Sequence, residues 1–228
     1  MLYIGRYAIA MNNYYWDEYI KYYVNEDLKK KIIKFYLSSD ESIFDKDNSM
    51  PAELFEQWKK QSEKVNCPDT KISSLSFANL GNELFGIINV LHDYIKNLNE
   101  IAFLPIISIK SEEDLIYNYG IDFSNSEAIL YNIYKSDFMK TNNLKYVVSY
   151  FQNIDESILL YGTEAYIKTA LQIGYIKGSL ESWLSKRFII KNIMEPRQRW
   201  THGLGINPYR ELLIGSTCIG RLKDDVFG

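Results

Sequence analysis

Cysteine and histidine are scarce: each occurs twice in 228 residues. Cys67 and Cys218 cannot build a disulfide framework, and neither sits in a zinc-type spacing. The sequence therefore predicts reduced thiols in a cytoplasmic protein and no metal site, because His92 and His202 would need ligands from distant segments to hold zinc. Long apolar runs are also missing. No stretch of about 18 apolar residues occurs, and no basic segment precedes the early apolar residues, so neither a transmembrane helix nor a signal peptide is expected. A basic excess is absent too. The chain has 26 Lys and Arg against 29 Asp and Glu, a net charge of −3. Bulk charge thus gives no sign of nucleic-acid binding, although a small local basic site stays open. There is no P-loop, no glycine-rich dinucleotide fingerprint after a strand, and no nucleophile elbow. The chemistry implied is free of cofactors.

What is present is an ordinary globular composition, 46% hydrophobic and 24% charged, with 19 tyrosines. Tyrosine buries a large ring while keeping a polar tip, which suits half-buried faces. Apolar residues recur near helical spacing over residues 13–37, 77–101 and 163–194, and further helices are read at 51–66, 126–140 and 143–160. Only residues 104–109 read as a strand, short and isolated; residues 111–120 read as irregular, and 209–223 as a short helix or strand. The expected fold is mainly α: a helical bundle built around 77–101 and 163–194, with little or no sheet. It is read as a single domain, 1–228, with an N-terminal helical extension (1–70), a bundle (75–205) and a C-terminal tail (206–228). Gly174 and Gly178, one turn apart in the last long helix, cost helix stability, and close approach of another helix is the expected compensation.

The most informative stretch is Glu195-Pro196-Arg197-Gln198-Arg199-Trp200-Thr201-His202-Gly203. Arginine grips phosphate oxygens with a planar fork of donors, and histidine moves protons near neutrality. Together they suffice to cleave a phosphodiester by an internal hydroxyl, such as the 2′-hydroxyl of RNA. Arg197, polar Gln198, three residues and then His202 resemble the R-polar-x3-H motif of HEPN domains. That resemblance implies a metal-independent helical ribonuclease of an antiviral defence or toxin–antitoxin system, often a homodimer. Arg197 and His202 would be the catalytic pair, with Gln198 and Arg199 binding RNA. The bland alternative pairs Arg197 or Arg199 with Glu195 or Glu211. Glu83 and Asp93 could orient an arginine, but read more simply as partners of lysines, and His92 reads as structural. The competing function is a non-enzymatic acidic helical interaction protein, of the immunity, antitoxin or phage-inhibitor kind, with a basic protein partner. The relation in space of Arg197 and His202 would separate the two.

Overall fold

The computed structural model describes residues 24–38, 73–98, 102–111, 113–123, 126–193, 200–201 and 203–222. The mainly helical expectation is overturned. These residues are organised around a seven-stranded sheet in which every neighbouring pair is antiparallel. The strands are β1 (Ser73–Ser76), β2 (Phe103–Lys110), β3 (Leu115–Asp122), β4 (Glu127–Lys135), β5 (Tyr146–Asn153), β6 (Phe188–Lys191) and β7 (Glu211–Leu222), in the order β1-β4-β3-β2-β5-β7-β6. The helices are α1 (Glu26–Ser38), α2 (Asn82–Ile95), α3 (Phe138–Thr141), α4 (Ile154–Tyr161) and α5 (Ala165–Leu184).

The two segments expected to organise a bundle do contain helices, α2 and α5, but they are shorter than expected and lie on a sheet. The segments read as helices over 126–140 and 143–160 hold β4 and β5 and are helical only at their ends, in α3 and α4. Both are rich in β-branched and aromatic residues, such as Tyr146-Val-Val-Ser-Tyr-Phe151, which pack well on a pleated surface. An apolar run this short fits a buried strand or a buried helix equally well. β3 was read as irregular because its apolar residues are separated by Asn118 and Gly120. Residues 211–222, placed in a C-terminal tail, form β7 and pair with both β5 and β6. Of the first expected helix, residues 26–38 are helical and 24–25 are not; residues 13–23 and the helix read at 51–66 lie outside the described residues.

Strand alternation sends each face of the sheet to a different cover. Ile107, Ile121, Tyr146, Val148, Tyr150 and Ile219 pack with Leu84, Ile87, Leu91 of α2 and Ile173, Ile176, Leu180 of α5. Ile106, Ile116, Tyr131, Val147, Phe151, Leu213 and Cys218 pack instead with Met139 of α3 and with Trp200, Leu204 and Ile206. At one end, α1 docks on α4 through Ile32, Ile33, Ile154 and Ile158. That contact is locked by Lys29, whose Nζ lies 2.6 Å from Asp155 Oδ1 and 4.7 Å from the centre of the Tyr209 ring. No helix among the described residues is long and apolar enough to cross a membrane.

Gly174 and Gly178 do not sit where another helix of the described chain crosses. A Cβ built on either would meet nothing within 4 Å. The close approaches are elsewhere. A Cβ on Gly120 would stand 2.3 Å from the Tyr131 ring, and one on Gly203 would stand 2.6 Å from the Tyr134 ring. In both places the missing side chain makes room for a tyrosine to lie across the backbone.

Two stability outcomes are expected. Asp155→Ala strands the Lys29 ammonium in a nearly dry site and should cost about 3 kcal/mol, measured by urea unfolding. Gly120→Ala should cost about 1–3 kcal/mol through overpacking, and much of that loss should be recovered in a Gly120→Ala, Tyr131→Leu double variant.

Candidate functional site

The second face of the sheet carries an uncommon row of uncharged polar side chains. Ser108 on β2 lies opposite Asn118 on β3, which lies opposite Asn132 on β4. Directly opposed residues share a face, so the three form one row. Ser108 and Asn118 are fully buried. Among the described residues, neither the Ser108 hydroxyl nor either end of the Asn118 amide has a hydrogen-bond partner. Asn132, half-buried at the end of the row, donates from Nδ2 to the Gly203 carbonyl at 2.8 Å.

Residues 200–206 cover this face. Trp200 is buried and donates its indole N–H to Ser149 Oγ at 2.8 Å. Its ring is flanked by Phe138 and Tyr134, at centroid distances of 5.3 and 6.1 Å. Ser149 is shared further, with Ser216 Oγ on β7 at 3.3 Å. Leu204 N–H returns to the Trp200 carbonyl, and Ile206 N–H to that of Thr201. The described part of the stretch that drew attention in the sequence is thus an anchored cover. Arg197, Gln198, Arg199 and His202 themselves lie outside the described residues.

The opposite face carries a connected polar chain. Lys177 Nζ pairs with Glu181 Oε1 at 2.7 Å, and Glu181 accepts from the Thr217 hydroxyl at 3.1 Å. With its proton committed to Glu181, Thr217 Oγ1 is left to accept from the Tyr150 hydroxyl, 3.3 Å away. Burial raises the Tyr150 phenol above its ordinary value, so it stays a neutral donor. Burial also pushes the Cys218 thiol up to about 11, and its Sγ donates to the Ile193 carbonyl at 3.1 Å. Such a thiol is a poor nucleophile. Glu83, Asp93 and His92 take the plain roles. Glu83 pairs with Lys145 at 2.6 Å and accepts from the Tyr146 hydroxyl; Asp93 pairs with Lys96; and His92 stacks on Phe123. Among the described residues no group of three or more His, Cys, Asp or Glu is placed to hold a metal ion.

No protein-family model matches the chain, and no curated protein matches it. A solved structure does: that of a "putative nitroreductase" from Anabaena variabilis, with a TM-score of 0.50 and 14% identity over 82% of this chain. The match covers 46% of that structure, so this chain spans about half the length of the protein it resembles. The likeness is one of fold. It overturns the HEPN resemblance, since that family is all-helical and this architecture is sheet-centred. Both functional readings drawn from the sequence fall with it, because the ribonuclease and the immunity-type or antitoxin-type binder each presupposed a helical bundle. The Arg197–His202 spacing is short enough to arise in unrelated folds. No local sequence signal marks the Ser108–Asn118 pair, because only the register of β2 and β3 brings these residues together.

The contrast between partnered and unpartnered groups sets two outcomes. Ser149→Ala removes the indole's acceptor and should cost about 1–2 kcal/mol, whereas Asn118→Leu should leave the melting temperature unchanged or raise it, because the amide contributes no bond to folding. For Cys218, the neutral thiol is favoured in the folded state. Its contribution to stability is present below the ordinary thiol value of 9.0 and is lost as pH rises toward about 11. Melting temperature should therefore fall across that window, and fall less steeply in Cys218→Ala.

Proposed function

We propose that this chain is an oxidoreductase-type domain, and that Ser108 and Asn118 recognise an uncharged polar edge of the bound redox partner. The observation that carries this reading is the nitroreductase-like arrangement of sheet and helices over 82% of the chain. Reduction of a small molecule needs a hydride-carrying cofactor, flavin or nicotinamide in type, because amino-acid side chains do not supply hydride; the cofactor would bring that chemistry when bound. The buried residues suit the polar edge of such a ring. The Asn118 amide has a donor and an acceptor to give and the Ser108 hydroxyl adds either, and both lack partners among the described residues. Phosphates would need cations. Arg197 and Arg199, which precede Trp200 by three positions and one in the sequence, are the fork-shaped donors for that task. The row lies beneath the cover around Trp200 and Gly203, and the protein would work in the cytoplasm with its thiols reduced.

The test is direct. Purified protein is examined by absorbance for a bound chromophore, then titrated separately with flavin mononucleotide and with reduced nicotinamide dinucleotide, and assayed for reduction of a nitroaromatic compound. Binding of one cofactor, weakened about tenfold or more in Asn118→Leu and in Arg199→Ala, supports the reading. Failure of the wild-type protein to bind either cofactor removes it.

A further inference from the structure

We propose that one end of the sheet is a docking surface for an anionic lipid bilayer. The strand registers bring a row of cations to that end. In spatial order, Arg187 immediately precedes β6, Arg221 lies on β7 next to the Phe188–Leu222 pair, and Lys145 immediately precedes β5. Lys110 then closes β2 and Lys135 closes β4, opposite Ile116 and Leu115 at the start of β3. Lys145 is tied to the row by its backbone N–H, which donates to the Ile219 carbonyl. From β6 to β4 the row spans five strand spacings, roughly 24 Å. Lys186, next to Arg187, and Lys140 on α3 thicken it.

Much of this charge is uncompensated. Lys145 pairs with Glu83, Asp114 is shared by Lys140 and Lys110, and Glu113 and Asp137 are exposed at the same end. Lys135, Lys186, Arg187 and Arg221 are exposed and form no ion pair among the described residues. The far strand ends carry Asp122, Glu127 and Glu211 instead. Strands such as the eight-residue β2 and β3 put those carboxylates roughly 25 Å away, about three Debye lengths at physiological salt. The chain as a whole is negative, at −3, yet an anionic plane facing the cationic end feels the near charges and is screened from the far ones.

Two apolar side chains identify the plane as a bilayer. Phe85, two positions after Glu83, and Ile133, two positions before Lys135, are 40% and 41% exposed. A soluble polyanion would leave the isoleucine in water. The interfacial zone of a bilayer takes up such side chains while its headgroups meet the Lys and Arg around them. The inference stands apart from the redox reading, since it uses none of that site's residues.

Cosedimentation of the full chain with vesicles tests it, with circular dichroism as the folding control. Wild-type protein should bind vesicles of equal parts phosphatidylserine and phosphatidylcholine, ignore vesicles of phosphatidylcholine alone, and be released by roughly 0.5 M salt. Each cation at an anionic surface strengthens binding about fivefold. Lys135→Gln, Arg187→Gln and Arg221→Gln combined should therefore weaken it about a hundredfold, and Phe85→Ser should weaken it severalfold. Lys31→Gln, on exposed α1 at the other end of β5, should leave binding unchanged. The wild-type comparisons need no variant: a protein that stays in the supernatant, or that binds both kinds of vesicle equally, overturns the proposal. So does a natively folded triple variant that binds like wild type, a Lys31→Gln loss as large as that of the triple variant, or binding of soluble polyglutamate or oligothymidylate in place of vesicles.

Discussion

Strand β5 is the constraint on which the rest of the structure depends. It is buried at every position but the last, pairs with β2 on one side and β7 on the other, and meets a helix layer on one face and the Trp200 cover on the other. A strand with no solvent face can hold only apolar side chains or polar ones whose bonds are met inside. Tyr146, Val148 and Tyr150 serve the helix side; Val147, Ser149 and Phe151 serve the cover. Ser149 is met by the Trp200 indole and Tyr150 by Thr217, while Gln152 donates from Nε2 to the Ser157 hydroxyl at 2.7 Å. The same strand therefore fixes α5 above the sheet and the 200–206 segment below it.

Interior polarity is handled in two distinct ways. The chain from Lys177 through Glu181 and Thr217 to Tyr150 runs from a partly exposed ion pair to a buried phenol, and each link has a donor and an acceptor. The row through Asn118 and Ser108 does not. Three buried atoms without partners represent about 1–3 kcal/mol apiece of uncompensated desolvation, against a total stability that is itself only about 5–15 kcal/mol. An apolar pair in the same strand register would pack there at no such cost. Gln152 Oε1 and Thr169 Oγ1 are also buried without a partner among the described residues, but they stand singly, whereas Ser108 and Asn118 lie directly opposite each other on neighbouring strands.

Much of the helix layer was legible in the sequence because α2 and α5 carry apolar residues at helical spacing. Leu84, Ile87, Leu91 and Ile95, and Ile173, Ile176, Leu180 and Leu184, are the residues they bury. The sheet was not legible, for a physical reason. A strand covered on both faces loses the apolar–polar alternation that identifies it, so β4 and β5 present short apolar runs that a helix could equally bury. β3 was hidden differently. Asn118 and Gly120 interrupt its apolar residues, and both are there for long-range reasons, one facing Ser108 and the other making room for Tyr131. The stretch around Trp200 stood out in the sequence for its arginines and histidine, and what its described residues show is packing: an indole held by Ser149 and a backbone carbonyl held by Asn132.

The glycines of α5 show how a sound sequence argument can reach a wrong conclusion. Their spacing does call for a crossing helix, but no described helix of the chain supplies it. Exposed apolar side chains do not by themselves weaken the fold, because they are exposed in the unfolded chain as well. Glycine inside a helix does weaken it, since the unfolded chain gains freedom that the helix must remove. Ile173, Ile176 and Leu180 of α5 point inward, while Ile167, Leu171 and Tyr175 share its outward side with polar residues such as Lys168. The sheet buries one side of α5; on the other, Tyr175 packs edge-on to Tyr94 while Ile167 and Leu171 stay exposed.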